Sequence, residues 1–379
     1  MKKILLILHL LMIFFSDFLY AQCDGRYQTE IFNAVNVTTV NYSDIYNDIR
    51  HEMDIYVADG DTLLSRPVII YIHGGAFIFG NKNSVDCVDF CESFAKRGYV
   101  AVSINYRLSD FVTWFSSKQE QYESIIRALY DSKSVVRYLR KSFEIGNNYG
   151  IDTSAIFVGG YSAGGVTAIH HAFIDNLTDL PDNLIDNNGN IFNLQSSAST
   201  IGGVYGLEGD AGNYGYSSKI SGVISFAAGI IQTGLIDQYD EPLVSVHGSN
   251  DPTVNYDCFP VFGNPAVITV CGPGEMHPQA NSVGIINDEL IFSGVDHDWP
   301  QDGHLNSNFT QAVNFTSDFI YPLLPCNNNI SSNLNYNSNV TRNLIKVIDV
   351  LAKESNDIKN QPLFYIYDDG TVEKKIVIE

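Results

Sequence analysis

Basic residues are scarce in this chain. Its 379 residues carry 22 Lys and Arg against 43 Asp and Glu, a formal net charge of −21. Nowhere do Lys and Arg gather into the patch that binds a phosphate backbone, so no nucleic-acid partner is expected. The same charge disfavours anionic ligands and anionic membranes and leaves neutral or cationic substrates favoured. Long apolar runs are also missing. Residues 4–15 are apolar but too short for a confident membrane span. They follow Met1-Lys2-Lys3 and lead to Ala21-Gln22, the layout of a signal peptide over residues 1–21. Cys-x-x-Cys is absent and no His stands at ligand spacing from a cysteine, so metal is not expected. Charged residues make up only 17% while hydrophobic ones reach 45%, which excludes extensive disorder.

All six cysteines follow residue 21, and an even number in an exported chain reads as disulfides. Cys258 and Cys271 bracket a short loop containing Pro and Gly and form the favoured bridge. Cys87 and Cys91, one helical turn apart, are the second candidate pair.

The patterning alternates between strand and helix. RPVIIYIH (66–73) and YVAVSINY (99–106) are continuous runs rich in β-branched residues, as in buried parallel strands. Residues 86–96 and 119–143 have helical spacing. SAIFVG (154–159) forms a third strand, and further strands are expected at 220–226, 243–247 and 290–292, with a last helix over 308–321. Such alternation predicts an α/β fold: a mostly parallel central sheet with helices on both faces. Two polar insertions, 176–219 and 252–287, interrupt it and are expected to wall or cover a site.

Between the third strand and the next helix stands Gly160-Tyr161-Ser162-Ala163-Gly164. A strand-to-helix turn this sharp needs glycines and exposes the serine oxygen, while the helix start offers N–H groups to a developing oxyanion. Ser162 is the candidate nucleophile. Taken alone, such a serine could merely cap the helix. A nucleophilic serine needs a base, and the base needs a carboxylate to fix its tautomer. Asp251, in HGSNDP just past the strand at 243–247, is the candidate acid, with Asp257 and Asp240 in reserve. His297, in GVDHDW just past the strand at 290–292, is the candidate base, with His304 as rival. His170 and His171, on the helix after Ser162, read as packing residues. In His73-Gly74-Gly75-Ala76-Phe77, the amides of Gly75 and Ala76 are expected to join that of Ala163 in an oxyanion hole, with His73 ordering the loop. Phe77, Tyr161 and Trp299 are plausible pocket walls.

Together, strand–HGGAF, GYSAG, HGSNDP and GVDHDW resemble the esterase/lipase branch of the α/β-hydrolase superfamily, over about residues 22–325. The HGG loop is similar to that of the hormone-sensitive-lipase and carboxylesterase groups. The resemblance implies hydrolysis of small-molecule or polymer-linked carboxylic esters through an acyl-serine, with no cofactor. A serine peptidase would use the same triad, and a binding or adhesion module of this fold would be expected to lack one of its members.

Residues 326–342 are Asn/Ser-rich and read as a linker. Beyond it, 343–379 contains two alternating runs joined by Asp368-Asp369-Gly370, a hairpin signal in a small β unit. This tail resembles the C-terminal sorting domain of the type IX secretion system of Bacteroidetes. The resemblance implies that secretion machinery as a partner, and release from the cell or retention on its surface.

Overall fold

The computed structural model describes residues 23, 25–326, 344–348, 353, 362–367 and 372–376. The expected signal peptide and Asp368-Asp369-Gly370 lie outside the described residues, as does the expected linker apart from Cys326. The chain divides into two compact units, Met1–Asn327 and Asn328–Glu379.

The first unit is built on an eight-stranded sheet. Its elements run β1 (Val35–Asn41), β2 (Glu52–Ala58), β3 (Arg66–Ile72), α1 (Val85–Lys96), β4 (Val100–Ile104), α2 (Phe111–Ser116), α3 (Lys118–Glu144), β5 (Ile151–Tyr161) and α4 (Ala163–Phe173). The first insertion holds β6 (Leu184–Ile185), β7 (Ile191–Phe192) and α5 (Leu194–Gly202), after which β8 (Gly222–Phe226) and β9 (Leu243–Gly248) return to the sheet. The second insertion holds β10 (Cys258–Pro260), β11 (Thr269–Cys271) and α6 (Pro273–Val283). β12 (Asn287–Phe292) and α7 (Ser307–Ile320) complete the unit. Strand order is β1-β2-β4-β3-β5-β8-β9-β12. β1, β2 and β4 pair antiparallel, and every later pair is parallel.

Period-two alternation distributes each strand between two cores. In β3, Val68, Ile70 and Ile72 join a cluster with Ile125, Leu129 and Val136 of α3 and Ile169 of α4. Ile69 and Tyr71 point the other way, into a cluster with Phe90 and Phe94 of α1 and Phe309 and Val313 of α7. All five of these β3 side chains have 0% exposure. At about 1.5–3 kcal/mol for each fully buried large apolar side chain, this strand is a principal source of the sheet's stability.

Two features differ from the sequence reading. Each polar insertion holds a helix not marked in the sequence, α5 in the first and α6 in the second. The polar sequence LQSSASTIG hides α5, but Leu194 and Ala198 bury on one face, and the Asn193 side chain caps the helix by accepting from Ser196 N at 2.8 Å. The cysteine pairing also differs. Cys258–Cys271 is bridged as expected, whereas Cys23 pairs with Cys326, and Cys87 and Cys91 remain free thiols. Both free cysteines sit on α1, where side chains four apart point the same way, one turn above the other, rather than toward each other. They are fully buried, and burial pushes both thiols well above their ordinary pKa.

The second unit contains a three-stranded antiparallel sheet, β13 (Leu344–Ile348), β14 (Pro362–Tyr367) and β15 (Val372–Ile376), in the order β13-β14-β15.

Candidate active site

The end of β5 and the start of α4 meet at Ser162, whose φ of +52° lies in the left-handed region that non-glycine residues avoid. The surroundings impose this conformation. Ser162 N donates to Phe226 O at 2.9 Å. A Cβ on Gly164 would stand 1.9 Å from Ile72 O, and one on Gly160 2.5 Å from the same oxygen. Only glycine lets the turn pack this closely on the end of β3. Ser162 is 8% exposed, so its oxygen faces an enclosed space.

That oxygen lies 2.9 Å from His297 Nε2, and His297 Nδ1 donates to Asp251 Oδ2 at 2.7 Å. The other carboxylate oxygen of Asp251 accepts from Thr253 N at 2.8 Å and Val254 N at 2.9 Å. Asp251 therefore has a fixed orientation and its lone pairs are satisfied. His247 Nε2 donates to Val254 O at 2.8 Å and lies 3.4 Å from Asp251 Oδ2. Burial lowers the His247 pKa, keeping the ring neutral so that it does not compete as a cation for the carboxylate. Three loops distant in sequence thus converge at the C-terminal ends of β5, β9 and β12. With its hydroxyl on a base and the base on a carboxylate, the serine can deliver an alkoxide to a carbonyl and return the proton to a leaving group.

The other histidines and acids lie elsewhere. His73 Nδ1 donates to Gly74 O at 2.6 Å and its ring stacks on Tyr106 at 4.4 Å. Burial pushes its pKa down to about 4, so it acts as a neutral brace for the loop. His170 Nδ1 donates to Val166 O at 2.7 Å, and His171 is held between Ser132 and Ser218. His304, near Thr310, and the exposed Asp257 stand outside the Ser162–His297–Asp251 chain, as does Asp240, whose carboxylate accepts from Asp237 N.

Gly75, Ala76 and Phe77 have φ of +115°, +53° and +63°, a tight coil after β3. Ala76 and Ala163 line the same pocket as Ser162. This pocket, about 400 Å³ including its open mouth, is otherwise walled, Thr253 apart, by apolar side chains that include Phe77, Trp114, Ile125, Val254, Phe262 and Ile268. Of the aromatic walls expected from sequence, Phe77 belongs to it. Tyr161 packs instead on His297, 5.2 Å between rings, and Trp299 packs in the core against Phe226 and Phe292. Trp114 and Phe262 were not anticipated. The FVTWFS segment is short, and nothing in the spacing of the second insertion signals that Phe262 turns inward.

Among the described residues, no group of three or more His, Cys, Asp or Glu could hold a metal, and no helix is long and apolar enough to cross a membrane.

Comparison with known proteins points the same way. The BD-FAE family model matches residues 53–209, the part holding the HGG loop and Ser162. The chain is similar to gut esterase 1 of Caenorhabditis elegans, 29% identical over 98 residues, which are 26% of this chain and 16% of that protein. It is also similar to secreted lipase 4 of Gibberella zeae, 33% identical over 108 residues, 28% of this chain and 18% of that one. The match therefore spans less than a fifth of either relative's length. A truncated carbohydrate esterase from gut microbiota superposes with a TM-score of 0.52 at 18% identity, covering 78% of this chain and 97% of its own. A thermophilic esterase from Thermogutta terrifontis, with propionate bound, does so with a TM-score of 0.50 at 18% identity, covering 79% and 94%. The chain has the α/β-hydrolase fold, and over about a quarter of its length it is similar to curated esterases and lipases.

Proposed function

We propose that this chain is a serine ester hydrolase whose nucleophile, base and acid are Ser162, His297 and Asp251. The observation that carries this reading is the unbroken hydrogen-bonded chain Ser162–His297–Asp251, with the serine held at positive φ. His297 removes the hydroxyl proton as Oγ attacks the ester carbonyl, then gives that proton to the departing alcohol. Water repeats the cycle on the acyl-enzyme. The amides of Gly75, Ala76 and Ala163 hold the oxyanion, each contributing about 3 kcal/mol where its geometry is good.

The signal-like N-terminus, the disulfides Cys23–Cys326 and Cys258–Cys271, and the similarity to a secreted lipase support action outside the cytoplasm. On this reading residues 1–21 are removed, 22–325 form the catalytic domain, and 343–379 serve as a sorting tail for type IX secretion. The first test is hydrolysis of p-nitrophenyl esters from acetate to palmitate by the mature chain and by Ser162→Ala. Activity confined to the unsubstituted chain supports the proposal. Equal activity in both, or none in either, overturns it.

A further inference from the structure

One feature of the rim has no part in the chemistry above. Phe79, Phe111 and Phe262 are 57%, 51% and 43% exposed, and Val112 beside them is 71% exposed. An exposed phenylalanine is unremarkable singly, but these form a connected row. Phe79, on the loop after β3, lies 5.9 Å from Phe111, which lies 4.8 Å from Phe115. Phe115 lies 6.4 Å from Phe262, and Phe262 lies 6.5 Å from Trp114. The row therefore crosses three segments far apart in sequence and ends at Trp114 and Phe262, which line the pocket containing Ser162.

The inner end of the row is held under strain. Phe262 has a φ of +60°, a backbone conformation unfavourable for a bulky residue. Its neighbours over-determine that shape: Phe262 N donates to Thr253 O at 2.9 Å, Val261 N donates to Ile268 O at 3.0 Å, and the loop is closed by the Cys258–Cys271 disulfide. The other wall is fixed through Gln121, which has 0% exposure. It donates to Trp114 O at 2.8 Å and accepts from Ile268 N at 2.9 Å, joining α2 to the disulfide loop. A buried polar clamp and a strained phenylalanine both serve to keep apolar rings at the mouth.

We propose that this row is an extended subsite for the acyl chain of the substrate, and that the preferred esters carry neutral, apolar acyl groups too long for the pocket alone. The inference rests on the ester-hydrolase reading. Four phenylalanine rings carry no polar group, and the indole N–H of Trp114 is already donated to Ser124 Oγ at 3.3 Å, so the row suits an alkyl chain, which needs no hydrogen bond, better than a sugar, whose hydroxyls do. The net charge of −21 further favours a neutral chain over an anionic one.

The test is the ratio of kcat/KM for p-nitrophenyl octanoate to that for p-nitrophenyl acetate, in the full chain and in the Phe79→Ala/Phe111→Ala double variant. Each methylene fully withdrawn from water is worth about fourfold in affinity. Partial cover of several methylenes then predicts a fall in the ratio of about tenfold, largely restored in Phe79→Leu/Phe111→Leu. An unchanged ratio overturns the proposal, whether or not the double variant also loses adsorption to neutral phosphatidylcholine vesicles. Loss of adsorption would instead make the row a lipid-surface contact. Calorimetric binding of methyl octanoate to Ser162→Ala and to Ser162→Ala/Phe79→Ala/Phe111→Ala separates this idea from the esterase reading, because it needs no turnover. Binding about tenfold weaker in the triple variant supports the subsite, and equal binding overturns it.

Discussion

At the floor of the pocket stands Ser162, 8% exposed, and behind it His297 and Asp251, 6% and 3% exposed, continue an unbroken hydrogen-bonded chain. At its rim, Phe79, Phe111 and Phe262 are about half exposed and are linked into one row through Phe115. The floor sits on the ends of three strands of the parallel part of the sheet: β5 and β9 are paired on both sides, and the edge strand β12 is paired with β9. The rim sits on the loop after β3, on a short helix, and on an insertion held by a disulfide, a buried glutamine and backbone hydrogen bonds of its own loop. Reaction geometry that must hold to a fraction of an ångström is thus assigned to the sheet, and the surface that meets a variable substrate to the insertions.

Changes at the floor are expected to be the most damaging. Ser162→Ala is expected to lower kcat/KM by about 10⁴-fold or more, and Asp251→Asn by about 10⁴-fold through the wrong histidine tautomer, with folding retained in both. Steady-state kinetics with circular dichroism decides this; a fall of tenfold or less in either would reject the assignment. Gly164→Ala attacks the scaffold instead. Its Cβ would meet Ile72 O at 1.9 Å, so a loss of stability above about 4 kcal/mol is expected, visible as insoluble protein or a collapsed Tm. A soluble variant with an unchanged Tm would show that the turn yields more readily than described.

At the rim the effects are smaller. Replacing both Cys258 and Cys271 by Ala opens a short loop and is expected to cost about 2–4 kcal/mol, read by denaturant unfolding. Activity on octanoate should fall more than activity on acetate, and equal falls would dissociate the disulfide from the rim.

The subtlest test concerns an exception on the floor side of the sheet. Asp86, near the start of α1, is 3% exposed, and its Oδ2 has no hydrogen-bond partner among the described residues. Burial pushes its carboxyl up to about 7, from about 3.9 in an unfolded chain. Between those values the folded protein holds a proton that the unfolded one has released. Stability therefore falls as pH rises from about 4 to about 7, and the penalty stays constant above that. Asp86→Asn, which resembles the protonated form, should raise Tm more at pH 8 than at pH 5; equal shifts at the two pH values would show that the carboxyl is not held protonated.

Much of the floor was legible in the linear sequence, because each element there carries a local signal. Continuous β-branched runs mark β3 and β4, and the Gly-x-Ser-x-Gly turn is compulsory where a Cβ would strike the backbone of the adjoining strand. Asp251 and His297 could be chosen from their place just past strand ends. The N-terminal strands β1 and β2 were missed because β1 is largely exposed and lacks an apolar run. The rim left no such trace. Trp114 and Phe262 are 148 residues apart and meet only across a pocket. Cys23 and Cys326 are separated by 303 residues, a pairing that no spacing rule selects.

The amino-acid sequence by itself determined the alternating strands and helices, the glycines of the elbow and the order serine, aspartate, histidine, since these follow from local sterics and periodicity. Only the tertiary structure decided between His297 and its rival His304, paired Cys23 with Cys326, and chose which aromatic rings line the mouth. Each of those depends on distances between segments far apart in the chain, and these are fixed only when the sheet closes and both of its faces are packed.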